Sequence, residues 1–175
     1  MRIVLGLLLI WFSCLATDES LLFNANVRMI PKIMALDSRL SGKSSKATLA
    51  IVYDSAQKNG AFTMAEQINR LYNSKVSNIS FNAVALSAEE AMSRKDIHFV
   101  FWFQKGNSPL TKKIAVWGMA NSIPTFSYDT NNLEYGILGS IAIERTTILY
   151  INKSTLKAGK YYFNETLFQI ARFIE

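Results

Sequence analysis

The 175-residue chain predicts an α/β fold: a three-layer α/β/α sandwich on a mostly parallel sheet, with a C-terminal antiparallel hairpin and a closing helix. Three observations predict it. Short apolar, β-branched runs alternate with stretches whose apolar residues recur at helical spacing. The run 97–103, "IHFVFWF", is apolar almost throughout, as a central strand covered on both faces must be. Further on, two strand-like runs, 137–143 and 146–151, flank only Glu144 and Arg145, too little chain for a crossover helix, so they pair as an antiparallel hairpin.

The elements follow in order. Residues 22–36, "LFNANVRMIPKIMAL", are helical in pattern but apolar nearly all round, which implies burial on a sheet or a partner. Pro31 should kink this helix or start a new first turn. Residues 37–46 are polar, with Ser and Gly, and read as a connector. A buried strand, "ATLAIVY", covers 47–53. Ala65, Ile68 and Tyr72 then mark a helix that begins near Phe62, and 79–86 is a second strand. Ser87 with Glu90 forms a capping box that opens a short helix. After the central strand, Ser108 and Pro109 read as an N-cap and first helical position, with Leu110, Ile114 and Trp117 on one face. Residues 123–128 supply the fourth strand. The C-terminal helix is expected from Leu167, Ile170, Ala171 and Ile174 at i, i+3, i+4 and i+7. Asn164 would be its N-cap, with Phe163 and Phe168 as a hydrophobic staple. The expected strand order is 2-1-3-4, extended at one edge by the hairpin.

Half of the residues are apolar, so the chain can bury a core, and neither an internal repeat nor a second domain is evident. Residues 1–16 read as a signal peptide: a basic start at Arg2, an apolar run 3–12, and small residues before a cleavage point after Ala16. The domain then spans 17–175. An uncleaved anchor and lipid attachment at Cys14 are the alternatives, although Trp11 and Phe12 are bulky for the second. Cleavage removes Cys14, the sole cysteine, and leaves no thiol for a disulfide. The expected address is the periplasm of a Gram-negative bacterium. There the N-x-Ser/Thr triplets at Asn78, Asn152 and Asn164 carry no sugar. Loss of Arg2 lowers the formal net charge from +6 to +5. The basic residues are scattered, with no dense run and no interleaved aromatics, which argues against nucleic acid as a partner.

In an open α/β sheet, ligands bind beyond the carboxyl ends of the strands where the strand order reverses. Here that crevice lies between the loop after the first strand and the loop after the third. It offers Tyr53, Asp54 and Asn59 from the first loop, Gln104 and Asn107 from the second, and Tyr128 and Asp129 at the end of the fourth strand. The loop 54–60 is not a phosphate cradle, because it has one glycine, Gly60, and Asp54 would repel the anion. A receiver-type phosphoryl site fails as well, since the third strand ends in Phe103 and Gln104 rather than an aspartate. His98, the one histidine, reads as a core residue, and with Cys14 removed the chain has almost no transition-metal ligands. No serine has a base partner, and Glu89 and Glu90 belong to a helix cap. No catalytic residue, cofactor or metal site is therefore expected. The first helix carries more apolar residues than one face needs. Phe23, Val27, Met29, Ile30, Ile33 and Met34 are thus candidates for a partner surface, whether a membrane protein or a second copy of the chain.

The run "ANVRMIPKIMALDSRL" ahead of "LAIVYD" resembles the opening of the YfiR-like periplasmic family. The tail resembles it further: Gly136, then "ILGSIAIERTTILYIN" ending at Asn152, then Leu156 and "LFQIARFIE". The resemblance runs over 21–175. It implies a single exported α/β domain that acts by binding. A characterised member represses a membrane-bound diguanylate cyclase through that enzyme's periplasmic domain, and relatives resemble one lobe of solute-binding proteins. That repressor is dimeric and uses cysteines, which a mature form of this chain lacks, so redox control is not implied. The expected function is a non-catalytic regulator of a membrane partner such as a diguanylate cyclase or sensor kinase. The alternative is a small-solute-binding module that uses the crevice.

Overall fold

A computed structural model of the chain describes residues 19–40, 46–106 and 108–175. The expected signal peptide, Cys14, Asn107 and part of the connector lie outside the described residues. Eight strands form one sheet in the order β2-β3-β1-β4-β5-β6-β7-β8. Its centre is β1 (Ala47–Tyr53), flanked in parallel by β3 (Ile79–Ser87) and β4 (Phe99–Trp102). The parallel run continues through β5 (Thr125–Ser127) to β6 (Gly139–Ile143). An antiparallel hairpin joins β6 to β7 (Thr147–Asn152). The expected order and the hairpin at the edge are both present. Short β2 (Lys75–Val76) adds an antiparallel turn beside β3.

Helices cover both faces. On one side, the helix over 19–34 (α1) and α2 (Lys58–Tyr72) pack on Leu49, Ile51, Phe81, Phe99 and Phe101. On the other side, α3 (Ala88–Ser93) and α4 (Pro109–Ala120) pack on Ala50, Val52, Val100 and Trp102. Alternate residues of β1 and β4 thus serve opposite cores, as the two-residue period of a strand requires. The Ser87 capping box forms as expected: the Ser87 Oγ accepts from Glu90 N at 3.2 Å, and Ser87 N donates to the Glu90 carboxylate at 2.8 Å. Gly139 lies opposite Phe126 in the β5–β6 ladder, and a Cβ there would sit 2.4 Å from the ring. Its lack of a side chain lets Phe126 stack on Phe99, with centroids 5.1 Å apart.

Three expectations need correction. The α1 surface assigned to a partner is used within the chain. Val27, Ile30, Ile33 and Met34 are buried in the core, Phe23 meets the Phe103 ring edge-on at 6.1 Å, and Met29 is half-buried against the same cluster. The reason is width: an eight-stranded sheet needs α1 beside α2 to cover one face. The helix is also continuous through Pro31 and does not restart there. The connector itself is present over the described residues 37–40, and it starts from a fixed residue, since Asp37 is buried and its backbone bridges to Phe163. Finally, the closing helix α6 (Glu165–Ile170) stops early, and β8 (Ala171–Ile174) runs parallel to β7. The outer edge of β7 offers unpaired backbone groups, and pairing with them outweighs four more helical residues. β8 then follows a strand period, with Ala171 and Phe173 packing on the α1 side and Ile174 on the α4 side. Asn164 holds the N-cap position without a side-chain cap bond. The expected staple is replaced by Phe168 stacking on Phe173, 6.2 Å between centroids. Further elements were not expected: β2, 3-10 turns at Ser55–Gln57 and Thr130–Tyr135, and α5 (Lys153–Ala158), which Asn152 caps through Thr155 N at 2.9 Å.

Candidate functional site at the carboxyl ends of the strands

The loop after β1 does not stand open. Asp54 caps a 3-10 turn (Ser55–Gln57) by accepting from Ser55 N at 2.7 Å. Its other carboxylate oxygen accepts from the Ser108 hydroxyl at 3.1 Å, while Ser108 Oγ also caps α4 through Leu110 N. One aspartate therefore ties the loop after β1 to the loop after β4 across the expected crevice. Gly60 lies within the first turn of α2, where a Cβ would come 2.6 Å from the Phe103 ring. Close packing, not anion binding, explains that glycine. Asn59 is exposed on the same turn, and Tyr53 is buried with its ring 6.0 Å from Phe62. Neither reaches into a shared site.

Gln104, Tyr128 and Asp129 do come together. Asp129 accepts from Gly106 N at 2.9 Å and from Asn131 N at 3.0 Å, which fixes the loop after β4 against the turn after β5. Behind it, the buried Asn132 donates to Ser127 Oγ at 2.7 Å and, at 3.5 Å, to the Gln104 carbonyl. The side-chain oxygens of Gln104 and Asn132 are buried without a partner among the described residues. Tyr128 is buried against Phe103, edge-on at 5.0 Å, and donates its hydroxyl to the Glu19 carbonyl at 3.3 Å. The Lys105 ammonium lies 5.6 Å from the Tyr128 ring centroid and 2.9 Å from the Glu19 carboxylate.

One strand beyond the expected crevice, an open groove of about 360 Å³ runs along the ends of β5 and β6. Leu22, Ile141 and Ile143 provide apolar surface, and Lys105, Asp129 and Glu19 provide charge. Of the expected ligand residues, Tyr128 and Asp129 line this groove. Ile141 and Ile143 were not singled out because β6 reads as a buried hairpin strand. Glu19 and Leu22 come from the start of α1, a segment with no sequence mark that places it there. In the sequence Ser108 signals only a cap, and nothing local to Asn132 signals its role.

Desolvation, with the Glu19 carboxylate second, pushes the Tyr128 phenol up to about 12. The folded state thus disfavours the tyrosinate, so stability present below pH 10 is lost as the pH rises toward 12. Urea midpoints measured at about pH 9 and about pH 11 should fall less steeply in Tyr128→Phe than in the parent chain. Equal slopes would refute this assignment.

His98 is occupied structurally, its Nδ1 accepting from Thr48 N at 3.2 Å. Among the described residues no three His, Cys, Asp or Glu side chains are placed to hold a metal ion, and no helix is long and apolar enough to cross a membrane.

No protein-family model matches the chain, and no curated protein matches it. The solved structures that resemble it in fold include these two. One is a conserved domain protein from Vibrio cholerae O1 biovar El Tor, with a TM-score of 0.58, 10% identity, and coverage of 85% of this chain and 60% of that one. The other is an ABC domain in complex with L-Trp from Streptococcus pneumonia, with a TM-score of 0.53, 11% identity, and coverage of 82% and 58%. The chain spans about three fifths of the length of each. At such identity the likeness is one of fold alone: a mixed α/β sheet with helices on both faces.

Proposed function

We propose that the chain is an exported, non-catalytic regulatory protein of the periplasm, which binds the periplasmic part of a membrane protein such as a diguanylate cyclase or sensor kinase and modulates it. The observation that carries this reading is how the polar groups at the strand ends are used. Asp54 holds Ser108, Asp129 holds Gly106 and Asn131, and Asn132 holds Ser127. These groups brace loops, which suits a surface for contact better than one for chemistry. The signal-like segment 1–16 and the YfiR-like tail support the address and the mode of action. With the apolar face of α1 buried, the contact falls to apolar residues that stay exposed near the β8 edge, Phe168 and Ile170.

Two measurements test this reading. Expressed with its own N-terminal segment in a Gram-negative host, the chain should appear in the periplasmic fraction beginning at Thr17. Cross-linking in source cells should join it reproducibly to the periplasmic domain of one membrane signalling protein, and Ile170→Glu should weaken that link without lowering the melting temperature. Retention in the cytosol, or no membrane-protein adduct, would sink the proposal.

A second reading, a small-solute-binding module, is favoured by the open groove at the ends of β5 and β6. The fold likeness to the Streptococcus domain in complex with L-Trp is in keeping with it. A thermal-shift screen against small metabolites tests it, because a ligand of the folded state alone raises the melting temperature. No shift across a broad library would remove it.

A further inference from the structure

We propose that the groove at the ends of β5 and β6 takes a small ligand that joins an ammonium group to an apolar body, the ammonium on Asp129 and the body on Leu22, Ile141 and Ile143. The proposal rests on the solute-binding reading. Both oxygens of Asp129 are held by backbone N–H groups, so the carboxylate is fixed in place before any ligand arrives. Each oxygen keeps a free lone pair, and among the described residues Asp129 forms no ion pair. The nearby cation, Lys105, is already paired with Glu19. Two carboxylates and one ammonium thus line the groove, and the unmatched charge is negative. This local sign opposes the net charge of the whole chain, +6, so it favours a cation by contact rather than by long-range steering.

The volume, about 360 Å³, lies within the range of roughly 300–1,000 Å³ found for small-ligand sites. The Lys105–Glu19 pair is half-exposed, with side-chain exposures of 42% and 68%, and such pairs hold weakly. A carboxylate on the ligand can replace Glu19 beside Lys105. Free amino acids with apolar side chains therefore fit the groove, as do simple apolar amines.

Calorimetric titration of the full chain with L-leucinamide, L-leucine and N-acetyl-L-leucine tests the assignment. L-leucinamide and L-leucine should bind saturably, and N-acetyl-L-leucine, which lacks the ammonium, at least about tenfold more weakly. Asp129→Asn keeps one acceptor for its two N–H partners, at some loss in melting temperature, and should weaken L-leucinamide by about tenfold or more while N-acetyl-L-leucine is little affected. Ile143→Ser, at an exposed position, removes apolar surface without adding charge and should weaken all binding in the groove. Equal binding of the acetylated compound, full affinity in Asp129→Asn, or no binding of any of the three overturns the ammonium assignment. If other solutes bind and Ile143→Ser alone abolishes them, this proposal falls while the solute-binding reading stands. If no solute binds at all, both fall.

Discussion

Trp102→Ala is expected to destabilise the protein by about 3–5 kcal/mol, the range for removing a buried large aromatic. Trp102 is fully buried in β4, in the core layer beneath α4 with Val100, Ile114 and Ile137. Its indole N–H donates to the Thr111 hydroxyl at 3.0 Å, and Thr111 is itself fully buried. Truncation opens a cavity that the sheet cannot close and leaves that hydroxyl without its donor. For a chain of this size the melting temperature should fall by roughly 10 °C. Trp102→Phe retains most of the volume and isolates the hydrogen-bond component, about 1–3 kcal/mol. Thermal unfolding followed by circular dichroism measures both. A Trp102→Ala melting point within a few degrees of the parent would show that α4 does not depend on this contact.

Arg39→Met should cost a similar amount, about 3–5 kcal/mol, because it strands a buried carboxylate. Asp37 is 1% exposed, and Arg39 grips it with two N–H groups while donating a third to the Ser122 carbonyl at 2.6 Å. The hydrogen bond to Asp37 holds the Arg39 pKa above its ordinary value. The guanidinium also lies 5.9 Å from the Tyr162 ring centroid. Backbone bonds from Ser38 to Tyr162 and from Asn164 to Leu36 complete the junction. A single pair thus fastens the end of α1, the end of α4 and the segment leading to α6. Replacing both partners, Arg39→Met with Asp37→Leu, should recover most of the loss, since an apolar pair leaves no uncompensated charge. Hydrogen exchange should report faster opening of β8 in Arg39→Met and near-parent protection in the double variant. Equal destabilisation of the single and double variants would rule out a charge-based explanation.

Where the sequence was legible, two signals coincided. β1 and β4 are apolar over a whole strand, so their burial follows from composition alone. Ser87 with Glu90, and Ser108 ahead of Pro109, are local devices whose bonds form within a few residues, and both appear as expected. The site was legible in part. The switch point follows from the strand order, yet the Asp54–Ser108 bond spans 54 residues, and no spacing rule reveals that it bridges the two loops. Tyr128 and Asp129 were found because they end a strand. Their neighbours Glu19, Leu22, Ile141 and Ile143 arrive from elements remote in the chain.

The tail shows the same limit from the other direction. Leu167, Ile170, Ala171 and Ile174 satisfy a helical period, but over so few residues the pattern is also open to a short strand. Only the free edge of β7 decides between them, and it chooses β8. The apolar excess of α1 was likewise visible, but not its destination. By itself the sequence determined most element types, the parallel core, the hairpin and the caps at Ser87 and Ser108, because those depend on side-chain periodicity and on bonds between near neighbours. Tertiary structure alone decided that α1 covers its own sheet, that Asp54 bridges the loops after β1 and β4, and that open volume lies at the ends of β5 and β6. Each of those outcomes depends on which distant surfaces and backbone edges remain unpaired once the sheet has formed.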